Sequence, residues 1–75
     1  MNQEQIAQIN EAIALIEKAQ NLSDSVKDDL QAEYDEWGEK KQDGEAGEKQ
    51  MATIDMLEEI DFDGLISSLT DARNA

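Results

Sequence analysis

Cysteine, histidine and proline are all absent from the sequence. Without cysteine the chain has no disulfide, no zinc–thiolate site and no iron–sulfur cluster, since each of these needs thiolate sulfur. Without histidine it lacks the commonest general base and metal ligand. The adjacent serines Ser67 and Ser68 therefore have no base to activate them for nucleophilic catalysis. These absences favour a non-enzymatic protein that works without a cofactor.

Basic residues are also scarce, with six against nineteen acidic ones, so that the formal net charge is −13. Such a charge repels phosphate groups, and direct binding to DNA, RNA or an anionic membrane is not expected. The longest apolar run, residues 12–16, is far too short to cross a bilayer. Because the first residues also lack the basic stretch of a secretory signal, we expect a cytoplasmic protein, in the host cytoplasm if a phage encodes it.

Apolar residues at helical spacing predict two helices in the first half of the chain. The first, over residues 3–20, has one stripe made of Ile6, Ile9, Ile13 and Ile16. We expect a break at residues 21–23, because Ser23 is a strong candidate for the N-cap of a second helix. The stripe of that second helix consists of Val26, Leu30, Tyr34 and Trp37. The helix ends either at Gly38 or at Lys41.

The second half of the chain predicts a loop and two further helical segments. Residues 42–47 hold two glycines and no large apolar residue, which predicts a loop. A third helix is expected over residues 48–60, with Ile54, Leu57 and Ile60 inward. Residues 61–64 predict a turn, in which either Asp61 or Asp63 caps the helical segment that follows. That segment has a short apolar face made of Phe62, Leu65, Ile66 and Leu69. We expect frayed residues from 73 to 75 and, as the fold, a single all-α domain of three or four helices in a small bundle.

The negative charge is concentrated in the last two-thirds of the chain. Residues 1–22 carry a net charge of −2, whereas residues 23–49 and residues 50–72 carry −6 each. Many of these acids fall opposite the apolar stripes on a helical wheel, in two groups. We predict both groups to be partner-binding: Asp24, Asp28, Asp35, Glu36 and Glu39 in the second helix, and Asp55, Glu58 and Glu59 in the third.

A rigid acidic helix face favours one kind of partner, a basic and nucleic-acid-binding protein. Neighbouring carboxylates on a helix lie about 5–6 Å apart, which is similar to the spacing of successive phosphates along a nucleic-acid strand. The chain would then mimic a polyanion and inhibit or regulate its target. In size and charge it resembles the small acidic inhibitors carried by phages, such as anti-restriction and anti-CRISPR proteins. This resemblance is one of composition and carries no residue assignments.

Two other interpretations remain open at this point. The acids are the ordinary solvated faces of a soluble protein, or the chain is a structural module whose charge serves solubility. As a module it would form a homodimer, or pair with a partner helix, through Ile6, Ile9, Ile13 and Ile16 or through Tyr34 and Trp37. In the other interpretations the two aromatic residues pack in the core. A monomer and a homodimer are both compatible with the sequence.

Two patterns among the acids resemble metal sites. Residues 59–66 have acids at positions 1, 3 and 5 and glycine at position 6 of an EF-hand loop, but Thr70 stands at position 12, where calcium needs a bidentate acid. The pairs Glu33/Glu36 and Glu58/Asp61 have the spacing of magnesium-binding carboxylates, yet residues 50–72 contain no basic residue to hold a substrate phosphate. We therefore expect no metal site.

Overall fold

A computed structural model describes all 75 residues of the chain. Helices account for 87% of them and no strand is present, which confirms the all-α class. Four helices follow one another: α1 (Gln3–Glu36), α2 (Glu39–Gln42), α3 (Glu45–Glu58) and α4 (Phe62–Asn74). None of them has a stretch that is long and apolar enough to cross a membrane.

The first two predicted helices are one continuous helix of 34 residues, so the expected break at residues 21–23 is wrong. Serine in a helix interior costs only about 0.5 kcal/mol relative to alanine, and no glycine or proline stands between residues 3 and 36 to end the helix. The N-cap signal of Ser23 is therefore outweighed by propagation of the helix. At its start, α1 has a reciprocal cap, because Gln5 N donates to Asn2 Oδ1 (2.8 Å) and Asn2 N donates to Gln5 Oε1 (3.0 Å).

The loop predicted at residues 42–47 is shorter than expected. Only Asp43 and Gly44 separate α2 from α3, and Gly47 is buried inside α3. α1 ends at Glu36, before an extended Gly38 (φ −63°, ψ 154°), and the two adjacent lysines belong to the separate short helix α2. Of the two aspartates that the sequence offers as caps of α4, the cap is Asp61, whose Oδ1 accepts a hydrogen bond from Gly64 N (2.9 Å). α4 continues to Asn74, so the fraying expected from residue 73 is not observed.

Residues Met1–Asn21 and Asp61–Ala75 form one compact unit, the terminal unit. Both of its helical segments have a half-buried apolar face, made of Ile6, Ile9, Ile13 and Ile16 in α1 and of Phe62, Ile66 and Leu69 in α4. Arg73 Nη1 donates to Asn10 Oδ1 (2.7 Å) and ties the two segments together. Leu65, which the sequence placed on the apolar face of α4, is 52% exposed.

Residues Leu22–Ile60 form the second compact unit, the acidic unit, which holds the end of α1 together with α2 and α3. Ile54 is its buried centre and is the only buried apolar side chain in the protein. Gln50 Nε2 joins α3 to α1 by donating to Leu30 O (3.0 Å). Ile60, expected to point inward, lies after the end of α3 and is exposed. The inward-facing apolar side of α3 therefore ends at Leu57, which is half-buried.

Candidate functional site

All eight acids predicted from the sequence lie in the acidic unit, and the side chains of all eight are exposed. This unit carries thirteen acidic residues and four lysines, a net charge of −9, whereas the terminal unit carries −4. The candidate surface consists of two patches. The α1 patch comprises Asp24, Asp28, Asp35 and Glu36, and the α3 patch comprises Asp55, Glu58 and Glu59.

Three members of the α1 patch form a straight row along the helix. Asp24, Asp28 and Asp35 fall within about 40° of one another around the axis, and one more acid of the same helix, Glu17, falls within this range. From the sequence Glu17 is not grouped with the row, because the predicted break at residues 21–23 places this residue in a different helix. Two of the row carboxylates have local partners: Asp24 Oδ1 lies 3.5 Å from Lys27 Nζ, and Asp35 Oδ1 accepts from Gln31 Nε2 (3.0 Å).

The other two acids assigned to the second helix are not part of this row. Glu36 is the last residue of α1 and lies about 100° around the helix from Asp35. Glu39 begins α2, after the extended backbone of Gly38, and so does not continue the face of α1. The grouping of Glu39 with the acids of the second helix is therefore wrong, because it requires that helix to continue beyond Gly38, whereas α1 ends at Glu36.

Both patches include acids at the C-terminal end of a helix. The last turns of α1 and α3 contain no basic residue. Glu36 closes α1, Glu58 closes α3, and Glu59 is the C-cap of α3. The carbonyl end of a helix carries partial negative charge, which favours lysine or arginine there and disfavours carboxylates by about 0.3–1 kcal/mol each. The position of these acids is thus unfavourable for stability.

The charge density of α1 changes sharply along its length. Residues 22–36 contain six acids and one lysine, which is about one net charge per 4.5 Å of helix axis. A single strand of B-DNA has about one charge per 3.4 Å. Residues 3–21 of the same helix carry three acids and one lysine, or about one net charge per 14 Å. The end of α1 therefore has a linear charge density close to that of a nucleic-acid strand.

Polar contacts from α2 and α3 hold the end of α1 in place. Gln50 Nε2 donates to Glu33 Oε2 (3.2 Å) in addition to Leu30 O, and Gln42 Nε2 donates to Tyr34 O (2.8 Å). Tyr34 O also accepts a backbone hydrogen bond from Trp37 N (3.1 Å), so Gln42 adds a second donor to this carbonyl at the helix end. The acids of the α1 patch are therefore carried on a backbone that is fixed by its neighbours.

The aromatic pair at the end of α1 is half-buried. The Tyr34 and Trp37 rings lie 6.0 Å apart between centroids, with an interplanar angle of 52°, and Lys41 Nζ lies 4.2 Å from the centroid of the Trp37 ring. The isoleucine stripe, the other face considered for pairing, is likewise half-buried within the terminal unit. Thus neither of the two apolar faces that the sequence suggested for pairing is fully exposed.

The acids of the chain are not arranged as a metal site. No group of three or more of them is placed to share an ion. Phe62 to Thr70, nine of the twelve positions of the EF-hand pattern, are helical, and Asp61 is engaged as the cap of α4. The pattern resembles a calcium loop because a capped turn and a calcium loop both place aspartate close to glycine.

No protein-family model, curated protein or solved structure matches this chain.

Proposed function

We propose that this protein is a non-enzymatic interaction protein that mimics a polyanion. The acidic unit docks on the basic groove of a nucleic-acid-binding protein in the cytoplasm and keeps nucleic acid out of that groove. The charge density at the end of α1 is the observation that supports this proposal. The six carboxylates of residues 22–36 present to lysine and arginine side chains a negative field comparable with that of a nucleic-acid strand. The protein thus acts as an inhibitor or regulator, as small phage anti-restriction and anti-CRISPR inhibitors do.

The location of Glu36, Glu58 and Glu59 at helix ends supports a functional origin of the charge. A protein whose acids served solubility alone would keep them away from helix C-termini, or alternate them with lysine, and gain stability. Here both patches keep carboxylates where they cost free energy. Residues at functional sites commonly break such local rules, with the cost offset elsewhere in the fold. We likewise propose that the chain itself packs as the three- or four-helix bundle predicted from the sequence, which its all-α content supports.

A displacement experiment on a whole extract tests this function, so that no single target has to be chosen. Proteins from a bacterial cytoplasmic extract are bound to DNA-cellulose at about 0.1 M salt, where electrostatic contacts over about 10 Å still operate. The column is then eluted with the purified protein, and the released proteins are identified by mass spectrometry. We expect release of a small set of DNA-binding proteins, because the acidic unit competes with DNA for their grooves.

Two variants of equal net charge distinguish a specific surface from charge alone. The first, D24N/D28N/D35N, removes the row on α1, whereas the second, E4Q/D63N/D71N, removes three exposed acids of the terminal unit. Each variant raises the net charge from −13 to −10. We expect the first to lose the displacement and the second to keep it. Equal displacement by both variants, or none by the natural sequence, would contradict the proposal.

A further inference from the structure

α1 has a second apolar face, of which four of the five members are exposed. Its members recur at intervals of three and four residues and comprise Ala12, Leu15, Ala19, Leu22 and Val26. We call this set the heptad seam. Leu15 is 61% exposed, Leu22 60% and Val26 50%, although all three are large apolar residues in the middle of a long helix. Spacing of this kind is typical of helices that pair with another helix.

The heptad seam is separate from the isoleucine stripe. The centres of the two faces lie about 120° apart around the axis of α1. The isoleucine stripe is half-buried within the terminal unit, so the protein itself already provides its partner. A helix that is apolar on two faces needs something to cover each of them. Only one of the two faces of α1 is covered by its own chain.

An open groove extends the seam toward the N-terminus. The groove, of about 580 Å³, is lined by Met1, Gln5, Gln8, Ile9 and Ala12. Met1, Gln5 and Gln8 continue the same four-three spacing that leads into Ala12. From Gln5 to Val26 the face covers three heptads, or about 32 Å of helix axis. Two of these heptads, from Ala12 to Val26, are apolar, and the third places Gln5 and Gln8 on the same face.

We propose that the heptad seam is the interface of a homodimer, in which the α1 helices of two copies pair antiparallel. This assembly goes beyond the proposed function and does not depend on it. A chain of this size without disulfides or metals commonly needs oligomerisation to stabilise its fold, and Ile54 is the only apolar side chain that this one buries. Pairing of two terminal units would bring two α1 and two α4 segments into one four-helix assembly.

Charge determines the orientation of the two copies. In a parallel pair the two acidic units, each with a net charge of −9, would lie side by side. In an antiparallel pair that overlaps over residues 1–26, each Asp24 lies opposite residue 3 of the other copy. The two Asp24 residues are then about 31 Å apart along the axis, which is several Debye lengths at physiological salt. The overlapping segment itself is nearly neutral, since residues 1–22 carry only −2.

One antiparallel register also pairs the charges that flank the seam. With Ala12 facing Leu15 of the second copy, each small seam residue meets a larger one, and Gln8 faces Ala19. In this register Lys18 of the second copy lies on the same flank as Glu11 and about 3 Å from it along the axis, and by symmetry the pair occurs twice. Lys18 is the only basic residue before Lys27, and no acid stands three or four positions away from it in α1. A second copy supplies the acid that its own helix does not.

The mass of the full chain in solution tests the dimer. We expect light scattering at micromolar concentration to give about twice the monomer mass of 8.4 kDa. L15D/L22D should weaken association about a hundredfold or more, because charged groups replace apolar ones in the interface. The matched control, M56D/L65D, changes two equally exposed apolar residues outside the seam and should remain dimeric. Circular dichroism should show that all variants keep their helices. A monomeric natural protein, or a dimeric L15D/L22D, would overturn the proposal.

Introduced cysteines test the orientation, since the natural chain has none to interfere. A mixture of Q8C and A19C should form a disulfide between the two different chains under oxidation, whereas A19C alone should not cross-link. A parallel dimer gives the reverse result and overturns the orientation.

Exchange of the flanking charges tests the register: E11K or K18E alone should weaken the dimer about tenfold, and E11K/K18E should restore it. Failure of the double variant to recover would overturn the register.

Discussion

Gly47 of α3 lies directly against the backbone carbonyl of Gln42 in α2, with no space for a Cβ atom between them. The glycine is buried, and a two-residue connection, Asp43 and Gly44, brings the two helices to this close approach. The same α2 residue uses its side chain to cap the end of α1 at Tyr34. One glycine thus determines how α3 fits against the segment that closes α1, and with it the scaffold of the acidic unit.

We expect G47A to destabilise the protein by about 1–3 kcal/mol. The added methyl group overlaps backbone atoms of Gln42, which cannot move aside as a flexible side chain would. The control is G38A, where the backbone has φ −63° and no atom lies within 4 Å of the added Cβ. It should be neutral or stabilising by up to about 1 kcal/mol, because alanine restricts the unfolded chain. Urea unfolding followed by circular dichroism measures both, and equal stabilities would contradict the close approach of α2 and α3.

Substitutions of Asp61 test whether its carboxylate caps α4 or binds calcium. Its carboxylate accepts the Gly64 backbone N–H at the start of α4, so D61A should cost about 1 kcal/mol in unfolding free energy. D61N should keep most of that stability, because an asparagine oxygen also serves as an N-cap acceptor. Thermal unfolding with and without calcium makes the comparison. If asparagine were as damaging as alanine, or if calcium stabilised the natural protein but not D61N, the capping role would be wrong.

The helical class and several helix ends could be predicted because they depend on neighbouring residues. The isoleucine stripe predicts the first helix from residue 3, and the aspartates of residues 61–64 predict a capped start of α4, which Asp61 provides. The continuity of α1 through Ser23 was missed, because an N-cap residue and an interior serine have the same local signature. The spacing from Ala12 to Val26 crosses residues 21–23 without interruption and was the signal that could have indicated a single helix.

The exposure of the candidate acids could also be predicted, since they lie opposite the apolar stripes. Their arrangement could not be predicted in full. Glu39 does not lie on the face of the row, because Gly38 adopts an extended conformation. Glu17 does lie on this face, because α1 continues through residues 21–23. Gly47 suggested a loop, whereas its real role is contact with Gln42. A long-range packing requirement of this kind has no marker in the local sequence.

Lysine substitutions at the helix ends should separate stability from function. We expect E36K and E58K each to raise the unfolding free energy by about 0.3–1 kcal/mol, because a cation replaces an anion at a helix C-terminus. The same variants should displace fewer proteins from DNA-cellulose than the natural protein. E4K is the control, since it places a cation in the first turn of α1 and should lower stability instead. A gain in stability without a loss of displacement would remove Glu36 and Glu58 from the interaction surface.

Screening of the acidic unit by salt should stabilise the fold. Thirteen acids in Leu22–Ile60 repel one another, with only two ion pairs in the protein, Lys27–Asp24 and Lys49–Glu45, to offset this repulsion. We expect the melting temperature to rise between low and moderate salt, and to rise less in D24N/D28N/D35N. A flat response in the natural protein would mean that the carboxylates interact more weakly than their spacing along α1 implies.

Salt should act in opposite directions on the two proposed interactions of the protein. Two copies with a net charge of −13 each repel one another, so added salt should tighten the dimer that forms through the apolar heptad seam. Binding of the acidic unit to a basic target depends on attraction between opposite charges, so added salt should weaken it. The dimer dissociation constant and the displacement from DNA-cellulose are measured across the same salt series, with L15D/L22D as the monomeric control. Because this variant leaves the acidic unit intact apart from Leu22, it should still displace DNA-binding proteins. If both interactions weakened with salt, charge pairs rather than the apolar seam would hold the dimer together.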